Sequence, residues 1–105
     1  MQYNMGTFFN ETVENFLKNY KPENQMFTSE DEIDLISETL NLCELSFEER
    51  TRTRNEVVRY YSELMDGEII YDEKGEYKGR TDKYWELITS MQSVTMVIDY
   101  YKYQK

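Results

Sequence analysis

The stretch from Thr81 to Tyr101, TDKYWELITSMQSVTMVIDYY, decides how this chain folds. Tyr84, Leu87, Ile88, Met91, Val94, Thr95, Ile98 and Tyr101 recur at intervals of three and four, the spacing that lines one face of an α-helix. A second stripe, Trp85, Met96, Val97, Tyr100 and Tyr103, covers much of the opposite side. A helix that is apolar nearly all round is buried on several sides. The sequence therefore predicts a long helix from Thr81 or Asp82 towards the C-terminus. It is either the centre of the fold or half of a homodimer interface.

Working outward, the residues before this helix lose the helical period. Ile69, Ile70 and Tyr71 lead into Asp72-Glu73-Lys74-Gly75 and then Glu76-Tyr77-Lys78-Gly79. Asp at the first and Gly at the fourth turn position suit a type I turn that closes a β-hairpin. Such a hairpin must lean on the helices, because an isolated two-stranded unit is marginal in water.

Further upstream, Ser46-Phe47-Glu48-Glu49 has the form of a capping box and opens a helix with Val57, Val58, Tyr61, Leu64 and Met65 on its inner side. Gly67 is placed for a left-handed close. Ser29-Glu30-Asp31-Glu32 is a second capping box, followed by an apolar stripe of Ile33, Ile36, Leu40 and Cys43. The first helix carries Phe9, Val13, Phe16, Leu17 and Tyr20 on one face, is capped by Thr7 or Asn10, and stops before Pro22. The expected fold is mainly α (α+β): a single small domain of four helices, with a short β-hairpin between the third and fourth.

At 105 residues one core is expected, and ten Tyr, five Phe and one Trp supply the bulk to build it. No apolar run approaches the roughly 20 residues of a membrane span, and Met1 to Gly6 lacks the features of a secretory signal, so a cytoplasmic, non-membrane protein is expected. Without that signal, the match of Asn10-Glu11-Thr12 to a glycosylation sequon is read as chance. Alanine is absent and Lys, Asn, Glu, Tyr and Ile are plentiful, a bias towards AT-rich codons that points to a low-GC bacterium or its phage.

The net charge is −9, and its distribution says more than its size. Nine of the 21 acidic residues fall between Glu23 and Glu49, where there is no Lys or Arg; the remaining twelve balance the twelve basic residues elsewhere. The sign then reverses at Arg50, Arg52, Arg54 and Arg59. Exposed helices usually mix signs and gain from pairs four residues apart, so an uninterrupted acidic run calls for a reason. Macrodipoles at two helix starts account for Glu30 to Glu32 and for Glu48 and Glu49, and a solvated face would suffice for the rest. Alternatively, Glu30, Asp34 and Glu38, rising about 6 Å per step along one helix face, form a row of anions that a groove built for a phosphate backbone would attract.

The chemistry of the remaining residues narrows the choice. There is no histidine, and the one cysteine, Cys43, allows neither an internal disulfide nor the usual zinc site. Asp31-Glu32-Ile33-Asp34 has neither the spacing nor the glycine of a calcium loop. Cys43, on an apolar stripe, reads as a buried inert thiol, and no serine sits in a nucleophile elbow or phosphate loop. Neither catalysis nor a cofactor is expected. Arg50 and Arg54 are expected to pair with Glu44 to Glu49, and the overall charge disfavours direct nucleic-acid binding.

The leading expectation is a non-catalytic acidic inhibitor that binds a basic protein, a nucleic-acid-handling enzyme, through Glu30, Asp31, Asp34, Glu38, Glu44, Glu48 and Glu49. A phage or mobile-element anti-defence factor, of the anti-CRISPR or antirestriction kind, is its most concrete form. The competing expectations are a self-associating structural or regulatory helical module and an immunity protein that neutralises a toxin.

Overall fold

The computed structural model describes residues 11–102 apart from Gln25, and only the backbone at Tyr101 and Lys102. Among these residues the chain forms helices α1 (Glu11–Asn19), α2 (Glu30–Thr39), α3 (Phe47–Asp66) and α4 (Asp82–Lys102). A 3-10 turn, Leu42–Glu44, joins α2 to α3, and an antiparallel hairpin, β1 (Ile69–Tyr71) with β2 (Tyr77–Arg80), joins α3 to α4. Among the described residues the protein is therefore mainly α, with four helices and the hairpin between the third and fourth. The expected contributions of Thr7, Phe9, Asn10 and Tyr103, and of the Tyr101 side chain, lie outside the described residues.

Both capping boxes form. Ser29 Oγ accepts the Glu32 amide at 3.2 Å while the Glu32 carboxylate accepts the Ser29 amide at 3.1 Å. Ser46 and Glu49 repeat the exchange at 3.1 and 2.9 Å. Each satisfies backbone donors that a helix start would otherwise leave open, worth about 1 kcal/mol per cap.

The core lies where α4 meets α3 and α2. Val94, Val97 and Ile98 of α4 close against Val57 and Tyr61 of α3 and Ile36 of α2, all essentially without solvent contact, and Val13 and Leu17 of α1 complete the cluster. Ser90, Ser93 and Thr95 are also buried on α4. Ser90 Oγ donates to the Tyr20 carbonyl at 3.3 Å and Thr95 Oγ1 to the Met91 carbonyl at 2.9 Å, so these short side chains fill the core without orphaned hydroxyls.

The hairpin closes as its turn residues require. The Gly75 amide donates to the Asp72 carbonyl at 2.9 Å, Asp72 Oδ1 accepts the amides of Lys74 and Glu76, and Gly75 takes the positive φ of 83° that follows such a turn. It does lean on a helix: the Arg80 guanidinium sits 4.7 Å from the Tyr84 ring centre, 5.3 Å from Tyr77 and 5.7 Å from Trp85. Thr81 ties hairpin to helix, with Oγ1 2.6 Å from a Glu68 carboxylate oxygen and accepting the Tyr84 amide.

Four details depart from the periodic pattern. Asn41, not Gly67, is left-handed: Asn41 has φ 56°, whereas Gly67 has φ −73° and stays right-handed. Asparagine tolerates this conformation better than most residues, and here it ends α2. The break rotates the 3-10 turn relative to α2, so Leu42 and Leu45 enter the core and Cys43 is exposed instead of buried. On α3, Leu64 is exposed, while Arg50 and Thr53 are buried. On α4, of the second stripe, Val97 is buried but Trp85, Met96 and Tyr100 face solvent.

Candidate functional site

The acidic run divides into two roles once folded. Glu32 is 6% exposed, and its carboxylate accepts the Ser29 amide, the Glu23 amide at 2.8 Å and the Tyr20 hydroxyl at 3.4 Å. It is a structural hub that gathers the α1–α2 connection onto the start of α2. Glu49, expected on the binding surface, is only half-exposed and its carboxylate is engaged by the Ser46 amide, so the capping box withdraws it from a contact role. Glu30, Asp31, Asp34, Glu38, Glu44 and Glu48 are exposed.

Geometry then groups the exposed carboxylates. Glu30, Asp34 and Glu38 follow one face of α2, and Asp34 and Glu38 border a single depression with Ile33, Asn41, Cys43 and Tyr100. Glu44 belongs to the 3-10 turn and Glu48 to the first turn of α3, on the far side of Asn41 and the second cap. The Cys43 thiol lies 3.8 Å from the Glu44 carboxylate.

Among the described residues the neighbouring arginines form no ion pair with this region, contrary to the expected junction pairs. Arg50 is 5% exposed and donates from Nη1 to the Leu45 carbonyl at 3.0 Å. Arg54 reaches α4, with Nε 3.0 Å from the Asp99 carboxylate, and Arg59 pairs within α3 with Glu56 and Glu63. Arg54 and Arg59 thus have carboxylate partners on α4 and on their own helix, whereas Arg52, exposed one turn after Glu48, forms no ion pair among the described residues.

The pKa shifts accompany burial, not chemistry poised for neutral pH. Burial pushes the Tyr20 phenol up to about 12, reinforced by the Glu32 carboxylate, and raises Tyr61 further. Tyr60 is raised by burial and by Glu14. These tyrosines stay protonated, and the Tyr60–Tyr61 pair places one ring in the core and one at its rim. Among the described residues no three His, Cys, Asp or Glu side chains gather in a way that could hold a metal ion, and no helix is long and apolar enough to cross a membrane.

An apolar element of this surface escaped the sequence reading. Met26 and Phe27, in the α1–α2 connection, are 75% and 70% exposed, and they face Met96 and Tyr100 of α4 across a depression of about 550 Å³. Two residues in a loop carry no periodicity, so no pattern marked them. Neither a protein family, nor a curated protein, nor a solved structure matches this chain.

Proposed function

We propose that this protein is a non-catalytic inhibitor that offers Glu30, Asp31, Asp34, Glu38, Glu44 and Glu48 to a basic groove of a nucleic-acid-handling enzyme and competes there with nucleic acid. The observation that carries the reading is the missing countercharge. The ion pairs among the described residues join Arg54 to Asp99 and Arg59 to Glu56 and Glu63, and none of them engages a carboxylate between Glu30 and Glu48. A one-signed surface of this kind steers a basic partner over distances comparable to the Debye length, about 8 Å at physiological salt. It also rejects nucleic acid itself. With the AT-rich residue usage and the small size, the most concrete form is an anti-defence factor of a phage or mobile element, acting on a CRISPR or restriction enzyme in the cytoplasm.

The test is affinity capture from a low-GC bacterial lysate, comparing the natural chain with a variant carrying Asp34→Lys, Glu38→Lys and Glu44→Lys. All three positions are exposed, so the helical circular-dichroism signal should be unchanged. The natural chain should retain a basic nucleic-acid-binding enzyme and inhibit it, and the variant should do neither. Equal capture and inhibition by both would eliminate the reading.

A further inference from the structure

Two depressions meet at Tyr100. The first holds the exposed side chains of Met26, Phe27 and Met96; the second is edged by Asp34 and Glu38 of α2. Tyr100, 52% exposed, walls both. They lie on either side of Tyr100, the first lined by apolar side chains and the second edged by carboxylates, and a ligand long enough to cross Tyr100 would find them as one trough. Among the described residues lining either part, the charged ones are Asp34, Glu38 and Asp99, all acidic, and no lysine or arginine is present. Asp99 is already held by Arg54, which leaves Asp34 and Glu38 as the open charges.

We propose that this trough binds an amphipathic basic helix of the partner protein, its apolar side chains seated on Met26, Phe27, Met96 and Tyr100 and its flanking Lys or Arg residues against Asp34 and Glu38. The proposal rests on the reading that the acidic block meets a basic protein, and it assigns that contact an anchor. Charge alone gives encounter and salt sensitivity, whereas desolvated apolar contacts hold a complex together. Methionine suits the anchoring end, since its unbranched thioether re-packs around varied apolar shapes. A helix laid in a groove presents apolar residues at three- and four-residue steps with cations alongside, which is the pattern the trough complements. A second copy of this chain fits poorly, because a two-fold pairing about Tyr100 would set Asp34 and Glu38 on the partner's apolar end with no cation to meet them.

The probe is a fluorescein-labelled synthetic helix of leucine and lysine in amphipathic order, with a scrambled peptide of the same composition and polylysine as comparisons. Binding is measured by fluorescence anisotropy, and the site is located from the methionine methyl resonances of the full chain. The ordered peptide should bind more tightly than the scrambled one and shift the Met26 and Met96 methyls, while the half-buried Met65 and Met91 stay put. Phe27→Ser with Met96→Ser should weaken the ordered peptide by at least about tenfold and leave polylysine binding unchanged. Asp34→Asn with Glu38→Asn should weaken both ligands.

Equal binding of ordered and scrambled peptides, or indifference to Phe27→Ser with Met96→Ser, would overturn the trough while leaving the acidic surface standing. Polylysine binding that ignores Asp34 and Glu38 would instead remove the reading beneath it. Sedimentation as a dimer that Met96→Asp dissociates, or contacts in the free protein between the Met96 methyl and residues 1–10 or 103–105, would assign the trough to another occupant and also overturn the proposal.

Discussion

Replacing Glu32 with alanine should destabilise the fold by about 3 kcal/mol, although Glu32 lies in the middle of an acidic run. Its Oε1 accepts the Ser29 amide at 3.1 Å, and its Oε2 accepts the Glu23 amide at 2.8 Å and the Tyr20 hydroxyl at 3.4 Å. A hydrogen bond to a charged group contributes about 1.5 to 3 kcal/mol. The two amides are partly buried and can regain some water, so the lower figure applies to each, and the long Tyr20 contact adds little. For a domain of this size, about 3 kcal/mol corresponds to a fall in Tm of roughly 12 °C or more. Glu38→Ala is the control: Glu38 is exposed, and its loss should change stability by no more than about 0.5 kcal/mol. Thermal unfolding followed by circular dichroism compares them directly. Equal midpoints for the two variants would refute the division of the carboxylates into a structural hub and an open surface.

The same contacts predict two further outcomes. Tyr20 is neutral in the folded state up to about pH 12 but ionises near 10 when unfolded, so its contribution is full below pH 10 and is lost as pH rises towards about 12. Tyr61 shifts in the same direction, so urea midpoints should fall across this window, and a flat profile would contradict the burial of both rings. The Arg54–Asp99 pair joins α3 to α4 with side chains 39% and 38% exposed, which lets solvent screen it. A double-mutant cycle with Arg54→Met and Asp99→Asn should give a coupling of about 0.5 to 1 kcal/mol, and zero coupling would contradict a stabilising role for the pair.

Much of the fold was legible because its signals were local and agreed with one another. The two Ser-x-x-Glu boxes marked two helix starts, Asp72 and Gly75 marked the turn, and the three- and four-residue spacing on α4 marked its buried face. The features that failed to show were set by tertiary placement. The left-handed Asn41 shifted the register after α2, exchanging Cys43 for Leu42 and Leu45 in the core. Arg50 looked like a surface cation, yet α3 turns it inward to the Leu45 carbonyl. Glu32 and Glu49 stood at the third helical position of their boxes, and that place alone was the clue that their carboxylates were committed to caps. The charge asymmetry was visible in composition. Its survival without ion pairs was not, because it depends on Arg54 and Arg59 finding Asp99, Glu56 and Glu63.

The central claim is that an uncompensated acidic surface occupies the place of nucleic acid on its partner. Its most direct measurement is competition: duplex DNA titrated into the complex with the captured enzyme, with the bound fraction of this protein read by anisotropy. Mutually exclusive binding, with displacement that weakens in step when Asp34, Glu38 and Glu44 are reversed, is the predicted result. A stable ternary complex of enzyme, DNA and this protein would contradict it.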